Sequence, residues 1–274
     1  MPVGYCALRE LTLKTMLYKY REFISKKPSD NISDDLNVKN LFNCEAWLSS
    51  RTQFNDPLDS HVNYQRPTVR SIRALLPLLN GEARNEAESW IRDGALTEKI
   101  MKHWGAMERE YNKVIDSYAM YCFASSPTNN LMWAHYANDH TGYCIEFNKS
   151  EFEATEVRYA NKLYEIDASE LIKLYFGLPS DIGKFIHRGL TTKLNDWRIE
   201  GERRHISQGK LPVGTVGMIK PYPAGAVCSL IFGAKIDPEK RQYLMDNIPY
   251  IVAFKQARVD HARSRVVIET YKKT

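Results

Sequence analysis

The stretch 121-YCFASSPTNNLMWAHYANDHTGYCIEF-147 decides the fold class. Its two ends, YCFAS (121–125) and GYCIEF (142–147), are short apolar runs of strand character. Between them, NNLMWAHYANDH (129–140) has helical spacing, with Thr128 or Asn129 as N-cap and Gly142 near the C-cap. Strand, helix and strand follow one another with no glycine-rich turn feeding the helix, which argues against a doubly wound parallel sheet. The rest of the chain alternates strands and helices without a regular rhythm. The pattern predicts an α+β fold around a mixed or antiparallel sheet.

Toward the N-terminus, residues 1–16 read as a short helical or irregular lead, and MLYKYR (16–21) as a strand ending in a base. Residues 22–40, with KKPSDNISDD, read as a polar loop. LFNCEAWLSS (41–50) reads as a helix end or turn running into a second strand. FNDPLD (54–59) is turn chemistry, because Asn and Asp bond their own backbone and proline fixes φ. Over 68–119 apolar residues recur at spacings of three and four. This predicts two or three amphipathic helices, broken at Gly81 and Gly94, as a helical insertion in a single domain spanning 1–274.

Toward the C-terminus, 157–166 reads as a strand and 169–195 as largely helical. WRIEGERRHI (197–206) reads as a strand, with Gly201 marking a bulge or a close backbone approach. CSLIFGAKI (228–236) is a buried strand, followed by a helix opening at Asp237 with Pro238 in its first turn. Residues 250–269 close the fold as one or two strands.

The 274 residues are 43% hydrophobic and 26% charged, ordinary for a protein with a sizeable core. The formal net charge of +5 suits anionic ligands such as nucleotides or RNA. Sixteen tyrosines suggest many half-buried positions where a ring packs and a hydroxyl finds a partner. The five cysteines are scattered without C-x-x-C spacing, which points to a reducing cytoplasm and away from structural zinc. No secretory leader or membrane span is expected.

Glu200 and Glu202, one residue apart, would share a face of a strand. They form either a paired-carboxylate site, with Trp197 as its wall, or an exposed edge paired to Arg203, Arg204 or Lys193. Arg21 is either a bidentate clamp for a phosphate or ribose or an ordinary surface base. Asn55, Asp56 and Asp59 could ligate a hard cation, although turn chemistry explains the first two, and a rigid loop lining a pocket fits better. His135 and Asp139 are four apart, so the carboxylate could orient the imidazole. Trp133 and Tyr136 are either core or a platform for a flat ring. There is no G-x-S-x-G, P-loop, H-E-x-x-H or G-x-G-x-x-G, which removes the commonest hydrolase, NTPase, zinc-protease and dinucleotide readings.

LYKYR (17–21), FNDPLD (54–59), the 122–147 block and WRIEGERR followed by LIFGAKI occur in one order. Together they resemble, over nearly the whole chain, a bacterial and phage-borne family, domain of unknown function 2971. Leu58 stands where that pattern has Phe, and Ala124 where it has Ser, which removes a hydroxyl at that position. More distantly the layout looks like the ADP-ribosyltransferase superfamily: Arg21 on the first strand, Ser49 and Ser50 on the second, and an E-x-E at Glu200–Glu202 on a later one. That likeness implies a split sheet and an enzyme using NAD+ as substrate, as a toxin or phage-defence effector. Glu202 would then be the catalytic carboxylate, Glu200 its partner and Arg21 the phosphate or ribose clamp. Ser49, Ser50, Asn55, Asp56, Trp133, His135, Tyr136, Lys193, Trp197 and Arg204 would form the binding surface, with a protein, a nucleic acid or water as acceptor. Two other classes stay open: a non-enzymatic binding or effector module, and a metal-dependent nuclease built on Asp56, Asp59 and the glutamates.

Overall fold

A computed structural model describes residues 16–24 and 31–271; the expected N-terminal lead at 1–16, with Cys6, lies outside them apart from its last residue. The described chain is α+β, with a mixed main sheet of ten strands and three small two-stranded sheets.

The first half contains β1 (Met16–Arg21), α1 (Leu36–Phe42), β2 (Glu45–Ser50), β3 (Val62–Tyr64), α2 (Val69–Leu75) and α3 (Gly81–Ser89). A tight hairpin of β4 (Ile91–Arg92) and β5 (Ala95–Leu96) leads into the long α4 (Glu98–Asp116), then β6 (Ala119–Ala124), α5 (Asn130–Tyr136) and β7 (Tyr143–Asn148). The second half contains β8 (Ala154–Glu156), β9 (Arg158–Ala160), β10 (Tyr164–Ile166), α6 (Ala168–Tyr175), α7 (Ile182–Leu190), β11 (Thr192–Leu194) and β12 (Glu202–Ile206). It ends with β13 (Gly217–Pro221), β14 (Val227–Phe232), α8 (Pro238–Asn247), β15 (Ala253–Asp260) and β16 (Arg265–Thr270).

The polar segment read as a loop over 22–40 ends inside α1, which starts at Leu36. Asp35 caps it by accepting from the Asn37 and Val38 amides, and Val38 and Leu41 anchor it in the core. The helix expected over 129–140 stops at Tyr136. Asn129 is its N-cap, as its side chain accepts from the Leu131 and Met132 amides. Asn138, Asp139 and His140 then all take positive φ. Gly142 is no C-cap. A Cβ there would run into the Arg21 carbonyl, so the glycine permits β7 to start hard against the end of β1. The predicted strand over 197–206 is half strand: Asn195–Glu200 is a 3₁₀ helix, ended by Gly201 at φ +54°, and β12 begins at Glu202. The helices of 68–119 do not pack alone. Ile72, Trp104, Ile115, Leu171 and Leu190 form one apolar cluster, so α6 and α7 join α2 and α4 in a helical layer.

Strand β6 is the junction of the main sheet. One edge pairs with β12 from Met120 to Ala124. Its other edge is shared. At its start Ala119 and Met120 pair with Ser50 and Ser49 of β2. At its end Ala124 pairs with Tyr18 of β1. Tyr121, Cys122 and Phe123 lie between with no strand partner on that edge. From β1 the sheet continues through β7, β14, β15 and β16, while β13 extends it beyond β2. A break therefore opens in the sheet, bounded by β1, β2 and β6.

Candidate functional site

The break is the floor of a cleft of about 370 Å³. Arg21, Ser49, Asn55, Tyr136, Lys193, Glu200 and Glu202 all line it, together with Lys19, Asp59, Tyr121 and Trp47. The strand at the front of the chain and the acidic couplet far downstream thus meet at one cavity.

One side is cationic. Lys19 and Arg21, two residues apart on β1, point to the same face. Lys19 Nζ donates to the Cys122 carbonyl at 2.8 Å and sits 4.6 Å from the Tyr121 ring centroid. Arg21 donates to the Tyr121 hydroxyl at 3.3 Å. Among the described residues neither base has a carboxylate partner. Burial and the neighbouring guanidinium push the Lys19 amine down to about 8.

The other side is a buried ion network. Lys193 Nζ lies 2.6 Å from Glu200 Oε2, 3.0 Å from Glu202 Oε2 and 3.1 Å from Asp59 Oδ2. Arg204 donates to Glu202 Oε1 at 2.7 Å and to Asp59 Oδ1 and Oδ2 at 2.7 and 2.8 Å. Its remaining donors reach Ser60 Oγ at 2.6 Å and the Leu190 carbonyl at 2.7 Å. Three carboxylates face two cations, so one carboxylate is left short of compensation.

That carboxylate is Glu200. Burial raises its pKa against the opposing pull of Lys193 and of Tyr136, whose hydroxyl donates to Glu200 Oε1 at 2.6 Å. Burial also disfavours charge on Glu202, but Arg204 and Lys193 outweigh it and hold that carboxyl at about 2. Two adjacent carboxylates are pushed in opposite directions by their surroundings, as expected of a group that moves protons beside one that stays ionised. Both oxygens of Glu202 are engaged by cations, whereas burial favours the protonated form of Glu200.

Other expected site residues stand elsewhere. Trp133 is fully buried; its indole donates to the Pro127 carbonyl at 2.8 Å and packs edge-on against Tyr20, so it is core and no platform. His135 is exposed and lines no part of the cleft, and no bond links it to Asp139. Ser50 is buried and donates to the Asp116 carbonyl at 2.8 Å. Asp56 accepts from the Leu58 amide at 2.9 Å within its turn. Arg204 is fully buried behind Glu202, so it braces the site without reaching the cleft. Trp197 stands back from the cleft, its ring 5.0 Å from Lys193 Nζ. Arg203 pairs outward with Glu156 at 3.5 Å.

Sequence reading passed over Lys19 and Tyr121, and weighed Asp59 only as a cation ligand. A lysine inside the apolar strand LYKYR was the available signal for the first. Nothing local signals that Asp59 meets Arg204, 145 positions away.

Residues 132–205 match the family model described as Protein of unknown function (DUF2971). The resemblance expected over nearly the whole chain is therefore found over this segment, which carries Tyr136, Lys193 and Glu200–Glu202 but neither β1 nor β2. No curated protein and no solved structure matches the chain.

Proposed function

We propose that the cleft binds NAD+ and cleaves its nicotinamide–ribose bond, transferring the ADP-ribosyl group to a nucleophile. One observation carries this reading: two bases without a carboxylate partner among the described residues, Lys19 and Arg21, line the same cleft as an under-compensated carboxylate, Glu200. A ligand suited to that polarity has an anionic end and a hydroxyl-bearing, electron-poor end, as a ribose phosphate does. The volume falls in the range of small-molecule sites.

In this reading Arg21 and Lys19 take the phosphates, held in place by Tyr121. Glu200 accepts from a ribose hydroxyl and stabilises the positive charge that develops at the anomeric carbon. The C–N bond breaks and its electron pair goes to the pyridinium nitrogen, which leaves as neutral nicotinamide. The acceptor nucleophile bonds to the anomeric carbon and its proton passes to Glu200. Glu202 touches none of the reacting atoms; it is a positioning residue that fixes Lys193 and Arg204.

The test is to incubate the protein with NAD+ labelled in its nicotinamide half, with and without total cell protein and nucleic acid. Nicotinamide release should fall by about 10² or more in Glu200→Gln, a substitution that keeps size and removes charge. Release by the wild type that survives Glu200→Gln undiminished would exclude the role assigned to this residue.

A non-catalytic binding module is the second reading, favoured by the half-exposed Trp47, Val216 and Ile219 along the β2–β13 edge. It predicts ligand binding with no nicotinamide release. The nuclease reading is less well supported, because Asp59 and Glu202 already satisfy Arg204 and Lys193 and Asp56 caps a turn.

A further inference from the structure

A second basic groove lies at the far end of the main sheet. Arg21, Tyr143, Phe232, Gln256 and Glu269 are successive cross-strand partners through β1, β7, β14, β15 and β16. Cross-strand partners share a face, so this row runs over four strand spacings, about 19 Å, from the cleft to the sheet edge. There, Lys235 from the turn after β14, Arg241 from α8, and Gln256, Arg258 and Tyr271 line a groove of about 780 Å³.

Among the described residues, two buried polar atoms of this groove have no partner: Arg241 Nε, a donor, and Gln256 Oε1, an acceptor. The Gln256 amide nitrogen donates to the carbonyls of Phe232, Gly233 and Ala257 at 3.2, 2.9 and 3.0 Å. Those bonds fix which end of the amide is left over. The Arg241 guanidinium lies 5.0 Å from the Tyr271 ring centroid. Glu269 neutralises Arg258 at 2.9 Å, but among the described residues neither Lys235 nor Arg241 has a carboxylate partner. Unpaired buried groups are costly, so a donor and an acceptor left open together point to a ligand that supplies both complements. A fully ionised phosphomonoester group satisfies the arginine but has no donor for Gln256 Oε1. A nucleotide satisfies both, through its phosphate and through an N–H or O–H of base or sugar.

We propose that this groove binds single-stranded nucleic acid, with a backbone phosphate between Arg241 and Lys235 and a base or ribose donor on Gln256 Oε1. The net charge of +5 favours a polyanion over a neutral partner. Tyr143 and Phe232 of that row are fully buried, so core packing separates a strand seated here from Arg21.

The proposal goes beyond the cleft reading, and its binding assay needs no NAD+. Binding of a fluorescein-labelled oligothymidylate to the full chain is followed by anisotropy at about 50 mM salt and above. Lys235→Ala and Arg241→Gln should each weaken binding by about tenfold and lower the salt slope by about one. Lys235 is exposed, so its replacement tests the groove without risk to folding. Equal binding by wild type and both variants, or no binding by the wild type, would overturn the proposal. So would displacement of the labelled strand by inorganic phosphate or a phosphoserine peptide as readily as by unlabelled strand. Nicotinamide release by these two variants should stay at the wild-type level, which separates failure here from failure of the cleft reading.

Discussion

Lys193 holds Glu200 at 2.6 Å, and this contact ties the short strand β11 to the last residue of the 3₁₀ turn before β12. The same ammonium reaches Glu202 and Asp59, so one buried cation compensates carboxylates from three separate segments. Removing it leaves three buried carboxylates facing Arg204 alone, in a site that is 6% exposed or less. Lys193→Met should therefore cost about 3–5 kcal/mol of stability. Arg203→Ala breaks only the outward pair with the exposed Glu156 and should cost less than about 1 kcal/mol. Urea unfolding of both variants checks the contrast, and equal midpoints would contradict the burial of the network.

Glu202 makes the fold acid-sensitive in a defined window. Its carboxyl titrates near 4.5 when unfolded and is held at about 2 in the folded chain by Arg204 and Lys193 against the cost of burial. A depressed carboxylate contributes stability above its unfolded pKa and loses it as pH falls toward the folded one. Stability should thus decline between about pH 4.5 and 2 through this group. Glu200, raised by burial, works the other way: it favours the folded state at low pH and gives that up as pH rises. Glu202→Gln should be less stable at neutral pH and show a flatter acid limb in denaturant titrations at stepped pH.

How far the sequence reaches depends on whether a signal is local. The strands at 16–21, 45–50, 119–124, 143–148 and 227–232 are apolar runs, and they form as expected. Helix α1 escaped because it buries only Val38 and Leu41 and follows a polar run that reads as loop. The 197–206 segment misled because a glycine at positive φ and a bulge glycine look alike in one dimension. Arg21 and the glutamates converge although they are 179 and 181 positions apart, and only general layout hinted at it. The different surroundings of the two glutamates were out of reach altogether. They follow from counting cations around each carboxylate, and Asp59, Lys193 and Arg204 come together only in the folded chain.

Lys19 should make ligand binding depend on pH. Its amine, pushed down to about 8 by burial and Arg21, is charged below that value and neutral above it. Affinity for a phosphate-bearing ligand should hold up to about pH 7 and fall as pH rises through 8. Lys19→Arg stays charged and should remove this fall, while Lys19→Met should bind weakly at every pH. Calorimetric titration with NAD+ between about pH 6.5 and 9 separates the three. A wild-type affinity constant across that range would show that the amine takes no part.

Gly142 should be intolerant of even one added carbon. A Cβ there meets the Arg21 carbonyl and lies 3.1 Å from the Ala137 carbonyl, both rigid backbone atoms. Gly142→Ala must push β7 away from the end of β1, at a cost of about 1–3 kcal/mol. The displaced residue is Arg21 itself, so affinity for NAD+ should fall along with the melting temperature. Gly225→Ala, where a Cβ meets nothing within 4 Å, is the matched control and should leave both unchanged.

Tyr136 gives the sharpest test of which carboxylate reacts. Its hydroxyl donates to Glu200 Oε1 at 2.6 Å and touches neither oxygen of Glu202. That bond favours the charged form of Glu200 against the burial that opposes it. In Tyr136→Phe the ring stays and the donor goes, so the Glu200 pKa should rise further. If Glu200 must be ionised to accept the proton of the acceptor, the acid limb of the pH–rate profile should move to higher pH in this variant. The rate on the alkaline side should be nearly retained, because the carboxylate is ionised there in both proteins. A reaction run by Glu202 predicts a different outcome, since its cation partners are untouched: the acid limb would stay where it is.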